Sequence, residues 1–426
     1  MKNMKNTKNI LFGAVLGVFF AFGILGTSCS KWTHPEAEDF YKGPSESYTN
    51  NLGDYQGSPH KLMFGWFGNW AGEGGSMQYQ LMGLPDSVDF VSLWLCYGDL
   101  NQGQQNDLKA FQARGGRAYL CWTARNVGDG LTKDYMKLAD GTILKKEDSG
   151  LDETGWRKKF WGMPTQKYSK PSGEPSKPSK PSEPAADADE ETLAQYEEAL
   201  AQYEAALAQY EVDLADWKVV AADYLAYRDS LLTSVRTYAK AIADTCRKYD
   251  IDGYDYDMEG RGDLCVYSDT ILINTFFRTL ITEFAKDGHH LNIDIPGGSS
   301  WLDYYENVAD DVLENVQYMI WQTYELGHSG LESFFNGSYG SVRSYKPHMF
   351  ETVFKKSIPT ATFERGNDKY HFLEHATWIP SFGLDFAGIG AYHIEYDYPD
   401  DNEVMPGVDY PTVRKGISIL NPPILK

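Results

Sequence analysis

Positive charge is scarce in this sequence. Its 426 residues carry 39 Lys and Arg against 60 Asp and Glu, a formal net charge of −21. That balance excludes nucleic acid as a partner, because binding phosphates requires clustered cations. Cysteine is rarer still, with five in all. Cys96 and Cys121 sit in apolar, strand-like runs and read as buried thiols. Cys246 and Cys265 flank a predicted strand, and eight or so extended residues span roughly 25 Å, too far for a disulfide. There is no CxxC pattern, so the sequence indicates neither a disulfide framework nor a metal site, and no cofactor is expected. Long apolar runs are also missing, with one exception at the N-terminus.

That exception is ILFGAVLGVFFAFGILG (10–26), which follows the basic MKNMKNTKN and precedes TSCS. The three parts read as a secretory signal over residues 1–28. The run is also about long enough to serve as an uncleaved anchor. LGTSC resembles a bacterial lipoprotein signal, with Gly26 where an aliphatic residue is usual. It implies lipidation at Cys29 and a membrane held through that lipid, at the surface of a bacterial outer membrane. Residues 29–58 are polar and turn-rich and read as a tether.

Aromatic residues are plentiful, at 14 %. From residue 59 onward, eight short runs rich in β-branched and aromatic residues recur. They are LMFGWFGNW (62–70), VDFVSLWLCYG (88–98), RAYLCWTARN (117–126), IDGYDYDME (251–259), HLNIDIPGG (290–298), VQYMIWQTYELG (316–327), SIPTATFERG (357–366) and FAGIGAYHIEYD (386–397). Helical patterns separate many of them, most clearly over 231–249, although the first two helices are poorly defined. Eight strands alternating with helices predict an α/β fold, a (β/α)8 TIM barrel over 59–426.

An insertion at 165–220 interrupts the pattern between strands three and four. KPSGEPSKPSKPSEP (170–184) is Pro-rich and expected to be extended and solvated. Three near-identical heptads follow, placing Leu193, Leu200, Leu207 and Leu214 every seven residues, with Tyr196, Tyr203, Tyr210 and Trp217 three positions later. This is the seam of a helix. It fits a helix packed on or projecting from the barrel, or coiled-coil self-association through residues 193–217.

The fourth run concentrates the chemistry. On a strand, Gly253, Asp255, Asp257 and Glu259 share one face, and Tyr254, Tyr256 and Met258 share the other. The aromatic face fits the outer helices, so the acids point into the barrel, with Glu259 at the C-terminal end where barrel enzymes keep their active sites. A calcium loop beginning at Asp255 would need a bidentate Glu at its twelfth position, where Val266 stands. Neighbouring carboxylates cannot all ionise cheaply, so at least one keeps its proton to higher pH and can act as a general acid.

DGYDYDME resembles the DGxDxDxE signature of glycoside hydrolase family 18, complete at every fixed position. The resemblance implies Glu259 as general acid/base, Asp257 as the carboxylate that orients the substrate's 2-acetamido group, and Asp255 as the inner carboxylate sharing a proton with Asp257. It further implies attack by the acetamido oxygen rather than by an enzyme carboxylate, an exception to the two-carboxylate scheme. Gln322 and Tyr324 in MIWQTYELG resemble the Q-x-Y element of the endo-β-N-acetylglucosaminidase branch, with Tyr324 donating to the acetamido oxygen and Gln322 bonding the sugar. The SxGG element and strand-eight Trp of the chitinase branch are absent. Tyr392 stands near the Trp position, and Trp66 and Trp70 offer further platforms or core packing. The implied function is cleavage of the di-N-acetylchitobiose core of N-linked glycans on glycoproteins. A chitinase-like hydrolase and a non-catalytic glycan-binding lipoprotein are the alternatives.

Overall fold

The computed structural model describes residues 46–264, 269–364, 369–398 and 408–422. The signal segment, Cys29, Cys265 and Val266 lie outside the described residues. No described helix is long and apolar enough to cross a membrane.

All eight apolar runs become strands: β1 (Leu62–Phe67), β2 (Phe90–Trp94), β3 (Arg117–Trp122), β4 (Gly253–Asp257), β5 (His290–Pro296), β6 (Met319–Gln322), β7 (Ser357–Thr362) and β8 (Gly388–Tyr392). Each pairs in parallel with its sequence neighbour, and β1 pairs with β8 to close the barrel. The barrel is therefore the expected (β/α)8 fold.

Alternation along the strands sorts side chains into two cores. Phe64, Trp66, Phe90, Tyr119, Cys121, Ile320 and Ile358 fill the lumen. Tyr254, Tyr256 and Met258 join the larger core between strands and helices. Below the site, the Arg117 guanidinium lies over the Phe90 and Tyr318 rings, at 5.5 and 5.8 Å.

The helix Ala222–Tyr249 leads into β4. It buries Val235, Tyr238, Ala239, Ile242, Ala243 and Cys246 at helical spacing and stops at Asp250, whose φ of 57° is left-handed. Asp tolerates that conformation better than most residues. Gly253 then opens β4 with φ of 152°, and a Cβ there would lie 1.9 Å from the His290 carbonyl oxygen. Only glycine lets β4 approach β5 so closely.

Three features differ from the sequence expectation. Between β1 and β2 there is no α-helix, only the 3-10 turns Met77–Tyr79 and Leu81–Gly83. That stretch is rich in Gly and ends at Pro85, and the buried Asp107 carboxylate accepts the Leu81 and Met82 backbone N–H groups in place of a helix ladder. Residues Glu46–Gly57, expected as tether, form a helix. Its last turn is held by the Gln56 amide on the Arg114 carbonyl and by the Tyr55 ring 4.3 Å from His60.

The third difference is the insertion. The heptads form one helix, Glu190–Val220, which breaks at Ala221 before the next helix begins. Trp217 is its only buried residue. Pro171, Pro175, Pro178, Pro181 and Pro184 are each half-buried, while the residues between them are exposed. Tyr196, Leu200, Tyr203, Leu207, Tyr210 and Leu214 on the helix are half-buried in the same way. Prolines three apart lie on one edge of an extended left-handed chain that rises about 3.1 Å per residue. Residues 170–184 then span about 43 Å, close to the roughly 40 Å of helix from 190 to 217. Lys170 Nζ lies 6.0 Å from the Trp217 ring, and an Ala188-to-Ala185 hydrogen bond turns the chain at the far end. The Pro edge therefore runs antiparallel along the Tyr/Leu stripe and is not simply solvated.

Candidate active site

The acids of β4 enter the lumen in two layers. Asp255 and Asp257 are 0 % and 1 % exposed. On the opposite face, the Tyr254 and Tyr256 hydroxyls donate to the carbonyls of Trp122 (2.8 Å) and Ala124 (3.1 Å), which pins β4 against the end of β3. Ser92 Oγ donates to Asp255 Oδ2 at 2.7 Å, and Thr123 Oγ1 donates to Asp257 Oδ2 at 2.5 Å. The strand ends at Asp257, so Glu259 sits on the turn beyond it, half-buried, as the outermost of the three.

A fourth carboxylate belongs to this group. Asp294 on β5 stands across the ladder from Asp257 and is fully buried. Gln322, at the end of β6, donates from Nε2 to Asp294 Oδ1 at 2.8 Å and reaches Asp257 Oδ1 at 3.5 Å. Gly297 permits this approach, since a Cβ there would lie 2.5 Å from the Gln322 carbonyl oxygen. Asp255 Oδ1 and Asp294 Oδ2 have no hydrogen-bond partner among the described residues. A proton on either carboxyl would give these oxygens the donor that burial denies them.

The electrostatics agree. Burial pushes Asp255 up to about 7, against hydrogen bonds from Ser92, Cys121 and Trp66. Burial, then repulsion from Glu259, pushes Asp257 up to about 8. Burial and the charges of Asp257 and Asp255 hold Asp294 well above the carboxylate range. Glu259 is raised by burial and pulled back by the Gln322 amide and by Arg125. The cluster thus holds protons near neutral pH, with its outermost member at the opening.

Cys121, Asp255 and Asp294 each offer one donor atom, within 4.8 Å of one another. Three donors fall one short of a closed four-ligand site, and Ser92 already engages Asp255.

Tyrosines wall the mouth. The Tyr324 and Tyr392 rings stack at 5.9 Å and 21°. Burial, with the nearby Asp294, Asp257 and Glu259 charges, raises the Tyr324 phenol far above its ordinary value, so its hydroxyl stays a donor. Trp66 is 1 % exposed and meets both tyrosines edge-on, so it supports the mouth from below and is not an open sugar platform. Trp70 is likewise structural, its indole N–H bonded to Asp107 at 2.8 Å. Tyr392 is partly exposed and fits the platform role. Trp94, at the end of β2, meets Tyr392 edge-on at 5.9 Å and was not singled out by the sequence. A cleft of about 640 Å³ continues from Gln322 and Tyr324 past Gly297, Glu325 and Glu364.

The sequence motif therefore brings Asp255, Asp257, Glu259, Gln322 and Tyr324 together. Sequence reading missed Ser92, Thr123 and Asp294. Asp294 is a lone acid in NIDIPGG, and only the strand register that pairs it with Asp257 gives it meaning.

The sequence profile of glycoside hydrolase family 18, BT1044-like, matches residues 33–154. No curated protein sequence matches the chain. Among solved structures, a selenomethionine Glu-to-Gln variant of BT1044 matches with a TM-score of 0.56 and 25 % identity, over 88 % of this chain and 92 % of that one. The endo-beta-N-acetylglucosaminidase of Cordyceps militaris in its apo form matches in fold, with a TM-score of 0.51 and 15 % identity, over 89 % of this chain and 98 % of that one. By sequence over residues 33–154 the chain resembles the BT1044-like members of glycoside hydrolase family 18, and over most of its length its fold matches that of BT1044.

Proposed function

We propose that the chain is a retaining endo-β-N-acetylglucosaminidase that cuts the β-1,4 bond inside the di-N-acetylchitobiose core of N-linked glycans. The observation that carries this reading is the Gln322 amide reaching Asp257 and Asp294 beside Glu259. A surface that only binds sugar has no use for four carboxyls held in one protonated cluster.

The geometry supports the following chemistry. Glu259 gives its proton to the leaving glycosidic oxygen as the C1–O bond breaks. The acetamido oxygen of the same sugar bonds to C1, helped by the Tyr324 hydroxyl, while Asp257 takes a hydrogen bond from the acetamido N–H. Water then adds at C1 as the bond from C1 to the acetamido oxygen breaks, giving a proton to Glu259, and the two successive displacements retain the configuration. Asp255 lies one layer deeper, where it exchanges a proton with the pair above it. Lipid on Cys29 places this barrel at the outer-membrane surface, facing glycoproteins outside the cell.

The test is to incubate the mature chain with a high-mannose glycoprotein, a complex-type glycoprotein and a chitin oligomer, and to weigh the products. Oligosaccharide released from glycoprotein, leaving one GlcNAc behind, supports the reading. Cleavage of chitin alone, or binding without any product, refutes it.

A further inference from the structure

The acidic chain gathers cations in one place. A cleft of about 730 Å³ lies where the insertion joins the barrel. Its walls carry five cations (Lys158, Lys167, Lys170, Arg228 and Arg261) and two carboxylates (Asp263 and Asp269). Both carboxylates are taken, Asp263 by Arg157 and Asp269 by Arg228, and Lys170 pairs with Glu174. Lys158, Lys167 and Arg261 have no acidic partner among the described residues. Three unmatched cations converging in a chain of net charge −21 form a local positive site rather than an average surface.

Four chain segments build the cleft. Lys158 comes from the helix Glu153–Phe160, Lys167 and Tyr168 from the strand of chain entering the insertion, Tyr224 and Tyr227 from the helix Ala222–Tyr249, and Arg261 from the turn after β4. The Tyr168 and Tyr227 rings lie 6.1 Å apart, tilted by 51°, and both are half-buried. Half-buried tyrosine rings present an apolar face with a polar rim, which suits a sugar. Arg261 follows Glu259 by two residues, so their backbones are at most about 7 Å apart. The cleft is thus lined by the same turn that carries the acid.

We propose that this cleft is a subsite for an acidic sugar of the bound glycan, its carboxylate or sulfate held by Arg261, Lys158 and Lys167 and its ring set against Tyr168 and Tyr227. Only the word glycan rests on the hydrolase reading; the charge and the rings do not. The insertion then has a role at its base, where it supplies Lys167 and Tyr168.

The test is calorimetric and needs no turnover. Full-length mature protein is titrated with sialyllactose, sulfated lactose, lactose and a short poly-Glu peptide. Sialyllactose or sulfated lactose should bind at least about tenfold more tightly than lactose, the effect of one charge-assisted contact. Whichever binds names the source of the charge. That preference should shrink about tenfold in Lys167→Ala and in Arg261→Ala, and should fade with added salt. Tyr168→Ala should weaken binding without removing the salt dependence. Equal binding of lactose and both acidic sugars overturns the proposal, even if the enzyme cuts glycoprotein. So does equal binding by poly-Glu, or a preference untouched in both charge variants whose melting matches the wild type.

Discussion

Asp294 stands directly across the β4–β5 ladder from Asp257, and the Gln322 amide reaches both carboxylates. Each of the predictions about the site follows from placing this extra acid beside an acidic triplet in a dry lumen.

Asp294 should cost stability as pH rises. A carboxyl whose folded pKa is raised keeps a proton that the unfolded chain has already lost. Its contribution is intact below about pH 4 and declines as pH climbs through the folded value. Asp255 and Asp257 beside it, pushed to about 7 and about 8, lose their own share in the same direction between about pH 4 and pH 8. Asp294→Asn keeps an acceptor for Gln322 and carries no charge. It should melt on the order of a few °C above the wild type at pH 8, with the gap closing by pH 5, in thermal melts at both values. A variant less stable than the wild type at pH 8 contradicts the buried-proton account.

Gln322→Ala removes the amide that lowers the Glu259 pKa. The basic limb of kcat/KM should therefore move to higher pH, because the acid keeps its proton longer. The rate at the optimum should fall roughly 10- to 100-fold, the cost of about 1.5–3 kcal/mol for a hydrogen bond to a charged group. A pH–rate profile measures both. An unchanged limb would remove Gln322 from contact with the acid.

Much of this was legible in the sequence, for reasons that can be named. The eight strands were readable because each is a compact apolar run bounded by Gly or polar residues, and β4 showed its faces because Asp and Tyr alternate strictly. Glu259 and Asp257 could be singled out from spacing alone. Asp294 could not, because one acid in an apolar run has no local meaning until strand register pairs it with Asp257. Trp66 looked like a platform because sequence does not distinguish a lumen ring from a rim ring; at the next-to-last position of β1 it packs beneath the mouth. The missing first helix was obscure because Asp107, a helix residue far downstream, supplies its capping.

The insertion should not dimerise the protein. Most of its Tyr/Leu stripe is already half-buried within the chain, alongside a half-buried row of prolines, so it offers a second helix little fresh apolar surface. Light scattering after gel filtration should give a monomer. Replacing Pro178 and Pro181 by Ser should uncover the stripe and raise self-association. A wild-type dimer lost on Leu207→Asp would favour the coiled coil.

Cys29→Ala should release the protein from the membrane fraction of the native host, as blotting of soluble and membrane fractions will show. Retention of the variant in the membrane would argue for the apolar run 10–26 as an uncleaved anchor.

The central claim is that Glu259 delivers the proton that breaks the glycosidic bond. Intact-mass measurement of a glycoprotein treated with the wild type and with Glu259→Gln tests it most directly. The wild type should leave one GlcNAc on the protein, while the variant should be slower by about 10²- to 10⁴-fold and still bind the glycan. Undiminished release by Glu259→Gln, or no release by the wild type from any N-glycoprotein, would contradict it.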